Sequence, residues 1–67
     1  MTMTENFFTG GTEFIITYQN GTHHIKEISY NDNGETILTV IFTGNYEKCL
    51  AEKQRIIAEN FEYDLNL

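Results

Sequence analysis

Sixty-seven residues, ten acidic against four basic side chains, a net charge of −6 and a single cysteine exclude several classes of protein at once. A chain this short has one core, burying roughly 60% of its unfolded surface, so support from a partner or a second copy is expected. Cys49 alone permits no internal disulfide and no cysteine-based zinc site and fits a reducing compartment, while the acidity opposes direct binding to nucleic-acid phosphates or anionic membranes.

The amino end, MTMTENFF, has no basic region and no long apolar run, and no later segment approaches the roughly 20 apolar residues of a membrane span. The expectation is a soluble, cytoplasmic chain with an N-terminal arm over residues 1–11. From Thr12 to Thr43 the sequence is rich in Ile, Thr, Tyr, Val and Phe and is punctuated by Asn20-Gly21 and Asn31-Asp32-Asn33-Gly34. This pattern predicts a three-stranded antiparallel meander over 12–43, in the order 1-2-3. Asn-Gly is a strong signal because the type I′ hairpin turn needs positive φ at both central residues.

A two-residue loop at Asn20-Gly21 sets Tyr18 opposite His23, Ile16 opposite Ile25 and Phe14 opposite Glu27. A two-residue loop at Asn33-Gly34 sets Ile25 against Phe42, Glu27 against Val40 and Ser29 against Leu38; a three-residue loop would flip the last strand. One face then carries Phe14, Ile16, Tyr18, Ile25, Leu38, Val40 and Phe42 as the core surface. The other carries Ile15, Ile28, Tyr30, Ile37 and Ile41 beside Thr17, His24, Lys26, Thr39 and Thr43. That second face is more apolar than a solvated one should be. Either a partner or second subunit packs on it, or Phe7 and Phe8 fold back to cover it.

From residue 45 to 62 the spacing predicts a helix, with Asn45 as N-cap, Glu47 at the favourable dipole end, and a stripe of Tyr46, Leu50, Ile57 and Phe61 interrupted by Lys53. Residues 63–67 are an acidic tail. The expected fold is therefore α+β: a single domain over 1–67, a βββα chain with one C-terminal helix packed on one face of the sheet.

No catalytic, cofactor or metal site is expected. His23 and His24 are adjacent and point to opposite faces of a strand, so they cannot share a metal. Glu27 is a candidate for a raised carboxyl pKa only if the helix covers it, and otherwise sits in water. For Cys49 only His23 or His24 is available as a base and nothing supplies an oxyanion hole, so it reads as a packed small hydrophobe. Gly10-Gly11 and Gly44 match no nucleotide-binding loop. Glu59, Glu62 and Asp64 follow the last basic residue, Arg55, at the helix end where negative charge is unfavourable. The tail either frays, or its carboxylates meet a basic groove on a partner.

In size, charge and layout the whole chain resembles the small inhibitors encoded by phages, anti-CRISPR proteins among them, some of which mimic DNA phosphates. The resemblance rests on no motif and transfers no residue. It implies a non-catalytic, acidic interaction module that occludes a basic, nucleic-acid-binding surface of a protein partner. Two other functions stay open: a structural homodimer built from back-to-back sheets, and a small ligand-binding domain.

Overall fold

The computed structural model describes residues 4–66; residues 1–3 of the arm and Leu67 of the tail lie outside the described residues. The protein is an α+β domain of two layers, measuring 37 × 32 × 18 Å. The sheet has four strands, not three: β1 (Glu5–Thr9), β2 (Thr12–Gln19), β3 (Thr22–Tyr30) and β4 (Thr36–Gly44), antiparallel in the order β1-β2-β3-β4. Two helices follow, α1 (Tyr46–Glu59) and α2 (Phe61–Leu65). No helix among the described residues is long and apolar enough to cross a membrane.

The additional strand comes from the expected arm. Gly10 and Gly11 adopt φ of 61° and 75°, the same left-handed pair as Asn20 and Gly21 at 54° and 78°, so two tight hairpins open the sheet. Gly-Gly supplies a type I′ turn as Asn-Gly does, because neither glycine has a Cβ to clash at positive φ. β1 then pairs Phe7 with Phe14 and Phe8 with Glu13. The middle hairpin has the register expected from its turn, with Tyr18, Ile16 and Phe14 opposite His23, Ile25 and Glu27.

The last hairpin departs from expectation. The Asn31 side-chain oxygen accepts from the amides of Asn33 at 3.0 Å and Glu35 at 2.9 Å, and Gly34 takes φ 79°. An Asx turn of this kind widens the loop to three residues, Asp32–Gly34, and flips the start of β4. Lys26 now faces Val40, Ile28 faces Leu38, and Ser29 faces Ile37. A β-bulge beside Ile25 and Lys26 restores the phase, so that Ile25 still faces Phe42. Leu38 and Val40, expected in the core, lie on the opposite face and are each 52% exposed.

The core consists of Phe7, Phe14, Ile16, Ile25, Cys49 and Ile56, with Phe42, Leu50 and Ile57 packed around it. Each large side chain buried there contributes about 1.5–3 kcal/mol. Phe7 and Phe14 stack with centroids 5.0 Å apart. Asn45 caps α1 as expected, its side-chain oxygen accepting the Lys48 amide at 2.8 Å. The inward stripe is Cys49 and Ile56 rather than Tyr46 and Phe61, which are 42% and 59% exposed. α1 starts beside Gly44, where an added Cβ would meet Lys48 at 3.3 Å, and finishes over the β1–β2 turn, where Asn60 adjoins Gly10. It therefore crosses the sheet diagonally and leaves Thr36–Ile41 uncovered.

The carboxyl end is helical and docked. The helix expected over 45–62 divides at Asn60, and α2 brings Asp64 to the β1–β2 turn. The Thr9 hydroxyl donates to one Asp64 oxygen and the Gly10 amide donates to the other at 2.8 Å. Gly10 and Gly11 leave the space this contact needs: an added Cβ would stand 2.4 Å from Asn60 and 2.8 Å from the Tyr63 hydroxyl.

Candidate functional site

The two faces of the sheet are built for different environments. Under α1, Glu5 is a junction: Lys53 donates to one of its oxygens at 2.7 Å and the Tyr46 hydroxyl to the other at 2.8 Å. Lys53, which interrupts the helix stripe, also lies 5.4 Å from the centre of the Phe7 ring. Lys53, then Tyr46, hold the Glu5 carboxyl below the usual range, and Glu5 raises the Tyr46 phenol.

Beside this junction Thr4, Glu5, Ile16, His23 and Tyr46 surround an open hollow of about 460 Å³. His23 stands between two tyrosines, 4.9 Å from the Tyr18 ring centre and 5.3 Å from that of Tyr46. Of the polar groups around the hollow, the Tyr46 hydroxyl and the Glu5 carboxylate are engaged with each other. Cys49 is fully buried, and burial pushes its thiol up, away from the reactive thiolate. Among the described residues no three His, Cys, Asp or Glu side chains come together as metal ligands.

Among the described residues, no element covers the face turned away from α1. The registers put Phe8, Ile15, Ile28, Tyr30, Leu38 and Val40 on it. Phe8 is 71% and Tyr30 65% exposed; Ile15 and Ile28 are half-buried between their neighbours. Of the residues expected here, Ile15, Ile28 and Tyr30 are in place. Ile37 has moved to the face of Ser29, and Ile41 stands at the bulge; each is 42% exposed. Of Phe7 and Phe8, expected as an alternative cover for this face, Phe7 is in the core and Phe8 belongs to the face as part of β1 without covering it; Leu38 and Val40 were missed. Reading Gly10-Gly11 as a hairpin finds Phe8, and reading Asn31 as an Asx residue finds the other two.

Polar side chains mark the two ends of this face. At one end His24 Nδ1 lies 2.9 Å from the Thr43 hydroxyl. At the other, β3 runs on past the start of β2 and leaves a shallow notch of about 500 Å³, whose walls include Phe8, Glu13, Glu27, Ile28 and Tyr30. Asn6 donates to one Glu13 oxygen at 2.8 Å. Glu27, opposite Phe14 and Thr39 rather than Val40, is half-buried on the α1 side of the sheet and only borders the notch. Asp32 and Glu35 are exposed in the adjoining loop. The Glu13 carboxylate and the Phe8 and Tyr30 rings thus converge at one end of an apolar surface.

The carboxylates considered for partner recognition are differently employed. Glu59 pairs with Arg55, which also holds Glu52. Asp64 is tied to Thr9 and Gly10, and these two donors, the hydroxyl first, hold it below the ordinary carboxylate range. Glu62 is exposed on α2. Comparison with known proteins found no matching family model, no matching curated protein and no matching solved structure.

Proposed function

We propose that this chain is a non-catalytic protein-interaction module that binds a basic partner through the notch end of its uncovered sheet face. The observation that carries the proposal is the convergence of Glu13 with Phe8, Ile28 and Tyr30 in one open groove. An arginine or lysine entering it meets the Glu13 carboxylate for its charge and ring faces for cation–π contact. The net charge of −6 adds long-range attraction for such a surface, which raises association rates more than it tightens the complex. Docked on a nucleic-acid-binding surface, a chain of this charge would keep phosphates away, and inhibition by occlusion needs no active site.

The test is a titration followed by amide NMR shifts, using a short arginine-rich peptide and an acidic peptide of equal length. The basic peptide is expected to move the signals of Phe8, Glu13, Ile28 and Tyr30. Tyr30→Ser and Glu13→Gln should each weaken it several-fold, and added salt should weaken it further. Shifts scattered over every carboxylate, or no difference between the two peptides, would refute the proposal.

A further inference from the structure

Six consecutive residues of β4, Thr36 to Ile41, are exposed, so this strand is open on both faces as well as along its edge. We infer that the occupant of this edge is a second copy of the chain, its β4 pairing antiparallel with the first and extending the sheet to eight strands across a two-fold axis.

The backbone is arranged for such pairing. The Asn31 amide donates to the Glu35 carbonyl at 3.0 Å, which makes Asn31 and Glu35 a hydrogen-bonded pair. Hydrogen-bonded pairs alternate along an antiparallel ladder, so Ser29–Ile37 and Glu27–Thr39 follow as bonded pairs. The N–H and C=O groups of Thr36, Leu38 and Val40 consequently point outward, to the free edge. An edge of this length is usually blunted by a lysine, a proline or an inward charge. From Thr36 to Tyr46 there is no charged residue and no proline. The bulge stands at the far end and leaves the Thr36–Val40 run straight.

Charge selects a second copy over a foreign peptide. Two chains of −6 each repel over most of their surface, and the neutral β4 strip is where they approach at least cost. A basic peptide would find no carboxylate between Thr36 and Tyr46 to answer it. Pairing β4 with itself is isologous by construction, because Leu38–Val40 of one copy meets the same segment of the other. Back-to-back packing of the uncovered faces is less suitable, since it would bury Lys26, which stands between Ile15 and Val40 in the registers.

Sedimentation of the full chain across a concentration series tests the inference. The wild type should pass from monomer to dimer as concentration rises. Val40→Lys places a charge at an exposed site, and Leu38→Pro removes an N–H that β3 does not use; each should weaken dimerisation at least tenfold. The circular dichroism and dilute-solution melting of Val40→Lys should match the wild type. A wild type that stays monomeric to about 1 mM overturns the inference. So does a dimer that survives both substitutions, or one that Ile15→Lys on the uncovered face dissociates while Val40→Lys does not. Peptide binding at the notch is read separately by NMR in the Val40→Lys variant, so loss of the dimer and loss of partner binding are told apart.

Discussion

β1 and β4 are the two edges of one sheet, and they are finished in opposite ways. β1 is five residues long, buries Phe7 and Thr9, ties Glu5 to Lys53 and Tyr46, and has its outgoing turn clamped by Asp64. β4 is nine residues long, carries no charge and is exposed from Thr36 to Ile41. The cause is the path of α1, which leaves from the end of β4 and crosses diagonally toward β1. One helix of 14 residues cannot cover four strands, and the uncovered portion falls on the strand that precedes it. The comparison teaches that an edge strand is made safe by what packs over it as much as by its own sequence.

Truncation inside each edge gives the largest contrast. Phe7→Ala removes a ring that stacks on Phe14 and is expected to cost about 3–5 kcal/mol, read by urea denaturation of dilute protein. If Phe7→Ala unfolds the chain outright, Phe7→Leu should still cost more than any truncation on Thr36–Ile41.

The α2 clamp on β1 is the next test, and it is read through pH. Folding lowers the Asp64 pKa through the Thr9 hydroxyl and the Gly10 amide. A depressed carboxyl stabilises the fold above its unfolded pKa, and that contribution is lost as pH falls through the folded value. Between about pH 5 and pH 2 the melting temperature of the wild type should therefore fall more steeply than that of Asp64→Asn. Equal slopes would show that the clamp adds nothing to the fold.

A smaller loss is expected from Glu5→Gln, because the Lys53 and Glu5 side chains are 20% and 36% exposed and water screens the pair. About 0.5–1 kcal/mol is the expected change, with most of the difference vanishing in 1 M salt. The smallest effect belongs to β4: Leu38→Ala in dilute solution should change stability by no more than about 0.5 kcal/mol. A Leu38→Ala cost as large as that of Phe7→Ala would mean that the two edges are alike.

Local chemistry in the sequence was enough for the middle hairpin, the cap on α1 and the α+β class. Positive φ is cheap only at residues such as Asn20 and Gly21, and that preference fixes the pairing of Tyr18, Ile16 and Phe14 without help from the rest of the chain. Gly10-Gly11 held the same information about β1. The face of Leu38 and Val40 was encoded less plainly, since it depends on one side-chain acceptor, Asn31, and on a bulge that no residue type announces. Tertiary structure alone decided the rest. Asp64 finds Thr9 across 55 positions of sequence, and Lys53 finds Glu5 across 48. Such contacts exist only after the layers have packed, because dihedral preferences act over a few residues whereas the meeting of distant carboxylates and donors is set by where an entire helix comes to lie.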